Sequence, residues 1–335
     1  MKFLRPLNQI VLPIIRNKKA YYFFLDTGFP TSFSNTPNVS SISSLDFGIT
    51  EKFDIRIIPE SFNPFRKEAP NMSKCLGIEL SGFLGADFIK HFDNVVINYK
   101  TREINFNVPN PKGDIVIPFN DNIEPRYSRF FTGMSLGENG GKTMALIDMG
   151  CTFCCTSLKF RGHFQKSKGW KSLGLYVTFT SDYFADVPVL LDSNMMGNYT
   201  IATPTPPGTP EMILGGNLLS QYICIFDNTK KVLKLTPNPR EVWLESDRPS
   251  YVHGIGFDTI VDPSIKKISI NSIFEESPNR KYFNEGDEVS FEELDWDDME
   301  IVNQISNKIF SSNRTEVSLK INGVERTLKT YPLFE

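Results

Sequence analysis

The chain has 335 residues, 40% of them hydrophobic and 22% charged, with a formal net charge of −3. That length allows two or three domains, and the composition is ordinary for a folded soluble chain. The near-neutral balance gives no electrostatic footprint for nucleic acid or anionic membrane, and no apolar run reaches the roughly eighteen residues of a spanning helix.

Taken in chain order, residues 1–110 are rich in aromatic and β-branched residues. Asn8–Ile15 and Ala20–Leu25 read as a strand pair around Arg16–Lys19. Another strand is expected at Asp54–Ile58, then one or two helical turns over Asp87–Phe92. A hairpin of Val95–Asn98 and Glu103–Phe106 follows. Asn107–Gly113 serves as a joint. Residues 111–240 repeat the plan, with strands at Ile115–Pro118 and Thr143–Ile147, and a hairpin of Ile223–Phe226 and Val232–Leu235. Thr203–Pro210 reads as an exposed Pro-rich loop. Residues 248–335 differ in character. They carry a strand at Ile265–Ile273, a helix at Asp297–Phe310 from the spacing of Ile301, Ile305 and Ile309, and two strands joined by Asn322-Gly323.

The repeat is sharpest at two acids. Phe24-Leu25-Asp26-Thr27-Gly28 matches Leu146-Ile147-Asp148-Met149-Gly150. Phe83-Leu84-Gly85 matches Ile213-Leu214-Gly215, with intervals of 59 (85 − 26) and 67 (215 − 148). A duplication presenting one carboxylate per copy can bring two carboxylates together, and such a pair is an acid/base device. Read singly, each acid before glycine is an ordinary turn aspartate.

Asp26-Thr27-Gly28, with Pro30-Thr31-Ser32 behind it, resembles the catalytic loop of the retropepsin-like aspartic peptidases. Phe83-Leu84-Gly85 resembles the segment that lies beneath it, and the copy at Asp148 and Gly215 resembles the partner half. The resemblance implies a mainly β fold of two pseudo-symmetric retropepsin- or pepsin-like lobes, residues 1–110 and 111–240. It implies an endopeptidase with Asp26 and Asp148 as catalytic dyad, loops shaped by Thr27, Gly28, Met149 and Gly150, and Gly85 and Gly215 beneath. Two carboxyls about 3 Å apart share one proton and activate a water, so neither cofactor nor metal is expected. The sequence departs from the family at Met149, where a hydroxyl residue normally reaches across to the opposite lobe. That departure keeps open a catalytically degenerate, peptide-binding relative. Neither copy offers a flap tyrosine.

Gly254-Ile255-Gly256-Phe257 resembles the carboxylate-binding loop of PDZ domains, which several bacterial peptidases of this kind carry at the C-terminus. The resemblance implies a small α+β domain over residues 248–335 that takes a C-terminal peptide or partner protein beside a sheet edge. The expected partners are therefore polypeptides, with no nucleic acid and no membrane span. Cys151, Cys154 and Cys155 look zinc-like but lack a fourth neighbour in sequence, so packing in the second lobe is the expectation. The acids of Glu285–Glu300 lack EF-hand spacing. Five cysteines and the lack of a signal-peptide pattern favour a cytoplasmic setting, against a periplasmic or exported one if a leader precedes the sequence.

Overall fold

The computed structural model describes residues 1–42, 52–57, 72–123, 128–137, 140–159, 162–164, 166–173, 178–239, 253–311 and 314–333. The fold is mainly β, built from several sheets with only short helices.

The first half forms a five-stranded sheet. Its order is Val11–Arg16, Lys19–Leu25, Leu80–Leu84, Phe33–Ser34, Arg56–Ile57. The second half repeats that order with Phe131–Leu136, Thr143–Ile147, Met212–Leu214, Cys154–Thr156 and Asn194–Thr203. Directions match as well as order. The acid-bearing strand runs parallel to the glycine-segment strand in both halves, as Leu25↔Leu84 and Ile147↔Leu214. That strand is antiparallel to the one behind the acid loop, as Phe33↔Phe83 and Cys155↔Ile213. In the second half, Thr178–Leu191 also pairs with Phe131–Leu136, which closes a six-stranded barrel and leaves Lys166–Leu173 outside the ring.

A shared sheet stitches the halves together. The hairpin Asn94–Asn98/Glu103–Phe106 and the hairpin Tyr222–Asp227/Val232–Pro237 meet edge to edge, with Ile115–Pro118 flanking the second. The central pairing is antiparallel, with Val96↔Ile225 beside Val95↔Phe226. Exchanging the halves turns one of these pairs into the other, so a pseudo-twofold axis passes between them. One large core runs through both halves and includes Phe23, Leu25, Leu84, Ile147, Met149, Leu214 and Phe226, all fully buried.

The last segment has its own core around Ile255, Phe257, Val261, Ile268, Ile305 and Leu319. Its sheet orders Phe257–Asp262, Lys267–Ile273, Glu288–Ser290, Glu316–Ile321 and Val324–Lys329. Asn322 and Gly323 both take positive φ, 49° and 78°, as a two-residue hairpin turn requires. The helix Ile301–Ile309 starts four residues later than the sequence predicts. The Asp295 and Asp298 carboxylates capture the amides of Asp297 and Glu300 in local turns, and such bonds compete with helix. Likewise, the first strand begins at Val11 rather than Asn8. A turn from Pro6 to Gln9 and the positive φ of Leu7 (55°) bend the chain just before it.

This segment docks against the first half. The Leu7 amide donates to Asn303 Oδ1 (2.6 Å), and Asn303 Nδ2 donates back to the Arg5 carbonyl (2.8 Å). Buried Glu300 accepts from the Arg5 amide (2.6 Å) and the Arg102 guanidinium (2.7 Å). Gly77 lies against Val302, Ile301 and Val261, so first-half residues cover the seam between the helix and the strand Phe257–Asp262. Gly254, Ile255, Gly256 and Phe257 are all buried. Leu333 lies over Gly254, and Ser277 and Tyr331 lie over Gly256. No described helix is long and apolar enough to cross a membrane.

Candidate active site

Asp26 and Asp148 each leave the end of a central strand into a tight turn. Each is fixed first by its backbone. The Asp26 amide donates to the Leu84 carbonyl (2.8 Å) and the Asp148 amide to the Leu214 carbonyl (3.0 Å). One residue earlier, Leu25 donates to Ile10 and Ile147 to Phe130, both at 2.9 Å. The turn amides then point inward at the carboxylates. Phe29 N–H donates to Asp26 Oδ1 (3.2 Å), and the amides of Gly150 (2.8 Å) and Cys151 (3.1 Å) donate to Asp148 Oδ1.

The glycines let the two carboxyls meet. A Cβ on Gly28 would lie 2.2 Å from Asp148 Oδ2, and one on Gly150 would lie 2.3 Å from Asp26 Cγ. Each turn thus presses on the acid of the opposite half, and a hydrogen bond joins the two carboxyls. Burial pushes the Asp26 carboxyl well above the ordinary carboxylate range, and the charge of Asp148 pushes it further. Burial also raises Asp148, against the pull of the Asp26 hydrogen bond, its two turn amides and the Arg129 cation. Both residues are buried, with 9% and 7% of their surface exposed.

Beneath the turns the halves use matched devices with different atoms. Ser32 Oγ accepts from the Gly85 amide (2.9 Å), and Cys154 Sγ accepts from the Gly215 amide (3.4 Å). Asp87 Oδ1 accepts from the Ser32 amide (2.8 Å), and Asn217 Oδ1 accepts from the Cys154 amide (2.8 Å). The short helices Ala86–Lys90 and Gly216–Leu219 close the same bonds on the loop carbonyls. Ala86 donates to Phe29 and Gly216 to Cys151, both at 2.7 Å. The Cys151 and Cys155 thiols both bond the Phe153 carbonyl, at 3.1 and 3.2 Å, so these cysteines brace the second turn. Among the described residues no cluster of three or more His, Cys, Asp or Glu is placed to hold a metal ion.

Across the pseudo-twofold axis, buried Thr27 Oγ1 donates to the Ile147 carbonyl (2.9 Å) and accepts from the Met149 amide (2.9 Å). Met149 makes no equivalent return bond through its thioether, because its side chain is wholly buried in the main core. Two residues missed by the sequence reading also cross over. Arg129 Nη1 donates to the Gly28 carbonyl (3.0 Å). Gln9, with its amide oriented to satisfy its neighbours, donates to the carbonyls of Met149 (3.1 Å) and Gly150 (3.3 Å) and accepts from Thr152. Aligning the copies one strand further back puts Gln9-Ile10 opposite Arg129-Phe130, which was the available signal.

No protein-family model matches the chain, and no curated protein matches it. A solved structure similar to it is that of conglutin gamma, a unique basic 7S globulin from lupine seeds. It shares 9% identity at a TM-score of 0.40, covering 70% of this chain and 92% of that one. Likeness at that level establishes neither a shared fold nor a shared function.

Proposed function

We propose that this chain is an aspartic peptidase of the retropepsin-like type, hydrolysing an extended polypeptide with water activated between Asp26 and Asp148. The observation that carries this reading is the pair itself: two carboxyls from equivalent turns, hydrogen-bonded to each other, both raised by burial. Structural aspartates of turns have no reason to converge on a pseudo-twofold axis, because like charges so placed cost stability unless they share a proton.

The starting protonation follows from the surroundings. Each acid accepts two turn amides, the Arg129 charge adds to those on Asp148, and the two carboxyls hold one proton between them. The ionised carboxyl of the pair takes a proton from water as the water oxygen attacks the scissile carbonyl carbon. The protonated carboxyl gives its proton to the carbonyl oxygen. The diol then collapses: the carboxyl that took the water proton passes it to the amide nitrogen, the C–N bond breaks to release the amine, and one diol hydroxyl returns its proton to the other carboxylate, which restores the one-proton pair. The titration belongs to the pair as a unit.

The degenerate, peptide-binding reading rests on Met149. The C-terminal segment gives that reading little support, because its Gly254–Phe257 loop is buried and Gly77 lies in the seam a peptide strand would use. The test is hydrolysis of a diverse quenched-peptide library from about pH 3 to pH 8, with Asp26→Asn and Asp148→Asn alongside. Cleavage abolished by both substitutions supports the peptidase. A folded wild type silent at every pH sinks it.

A further inference from the structure

We infer that Gln9 and Arg129 are a matched pair of cross-lobe latches, and that Arg129 performs for the first acid loop the task that Met149 has lost. This rests on the peptidase reading for its meaning, and on geometry alone for its existence.

Leu25 donates to Ile10 and Ile147 donates to Phe130, each at 2.9 Å, so Ile10 and Phe130 are structural counterparts. The residues just before them, Gln9 and Arg129, are then counterparts too. Each sends its side chain into the opposite half, and each ends on the carbonyl of the same loop glycine. Gln9 reaches Gly150 and Arg129 reaches Gly28.

Counting the ties on each loop shows why the two differ. The second loop, Asp148–Thr152, receives the Thr27 hydroxyl at Met149 N–H and the Gln9 amide at two carbonyls and at Thr152. By the same symmetry the first loop would receive a hydroxyl from position 149. Met149 supplies none. Apart from the bond between the two carboxyls, which both loops share, the described second-half side chain that holds residues 26–28 is Arg129, at the Gly28 carbonyl. A guanidinium donor is charge-assisted and fork-shaped, so one arm holds more firmly than a neutral amide. The stronger latch thus sits on the loop with fewer ties. Arg129 has a second effect that Gln9 lacks: its charge lowers Asp148.

The inference predicts loop-specific consequences. In Arg129→Met, native-state exchange of the Gly28 and Phe29 amides accelerates about tenfold or more, the scale of one lost charge-assisted bond, while the Gly150 and Cys151 amides hold. In Gln9→Leu the pattern reverses. Adding Met149→Thr to Arg129→Met restores the first-loop amides; adding it to Gln9→Leu restores nothing. In peptide hydrolysis, kcat follows exchange at the loop concerned, with KM little changed. Met149→Thr recovers kcat in the Arg129→Met background but leaves the Asp148 titration raised, as followed by carboxyl-carbon NMR. Arg129→Lys retains the lower titration. Equal acceleration at both loops in either variant, or rescue of both by Met149→Thr, overturns the latches. A wild type that cleaves nothing but shows the loop-specific exchange overturns the peptidase reading and leaves the latches standing. If either single variant unfolds, its exchange is read instead in Arg129→Lys or Gln9→Asn, where the same loop must loosen.

Discussion

The Thr27 hydroxyl joins the two halves through Met149, accepting from the Met149 amide at 2.9 Å while donating to the Ile147 carbonyl at 2.9 Å. Both partners are main-chain groups of the opposite acid loop, and the hydroxyl is fully buried. Replacing it by an isosteric valine leaves a buried N–H and a buried C=O unpaired. Thr27→Val is expected to destabilise the fold by about 3 kcal/mol, whereas Thr27→Ser, which keeps the hydroxyl, costs about 1 kcal/mol. Urea unfolding of both variants measures the difference. Equal losses would mean that the methyl, not the hydroxyl, matters.

A second prediction concerns the loop glycines. The space a methyl needs at Gly28 is occupied by the Asp148 carboxylate, and at Gly150 by that of Asp26. Alanine at either position pushes the opposite acid away and separates the pair. Peptide hydrolysis should fall by about a hundredfold or more, since misplacements of about 1 Å are that expensive in catalysis. Gly141→Ala, where nothing lies within 4 Å, is the control and should leave the rate unchanged.

The pair also makes a pH signature in stability. Both carboxyls are held above the ordinary range, so the native state keeps protons that the unfolded chain releases. Their contribution is present in full below the unfolded value of about 4 and is lost as pH rises through the raised native values. Asp26→Asn and Asp148→Asn should each flatten this decline and raise the neutral-pH melting temperature by several degrees. Thermal melts from about pH 4 to pH 8 check this, and a steeper decline in either variant would contradict it.

The sequence made the strand plan legible where a single rule dominated. Thr143–Ile147 and Ile115–Pro118 lie where alternation places them, and Asn322-Gly323 turns as its residue types require. The pairing of the halves was legible because a duplicated acid turn survived as short, nearly identical segments. Gln9 and Arg129 escaped for a physical reason: the two share a task but not a chemistry, so no letter repeats between copies. The same holds for Ser32 and Cys154, where oxygen and sulfur accept equivalent bonds. The covering of Gly254 and Gly256 depends on Ser277, Tyr331 and Leu333, which are distant in sequence, and local reading carries no information about such contacts.

A last prediction concerns the seam between the first half and the C-terminal segment. Burial raises Asp258, on the strand Phe257–Asp262, to about 7. Its Oδ1 is buried with no hydrogen-bond partner among the described residues, although Asn271 and the Ser272 amide act on the carboxyl, and Glu285 adds a like charge. Opposite lies Cys75, whose thiol is pushed up to about 12, first by burial and then by the Asp258 charge. The sign is that of a raised acid: the stabilising contribution is complete below the unfolded value of 3.8 and drains away as pH climbs to about 7. At about 1.4 kcal/mol per unit the ceiling is about 4 kcal/mol, and water at the partly exposed edge of the residue reduces it. Asp258→Asn removes the titration while keeping the shape. It should therefore leave stability at pH 4 nearly unchanged and raise it at pH 8, with the gain appearing between about pH 5 and pH 7 in urea unfolding. A gain equal at both pH values would place the effect in packing rather than in the proton.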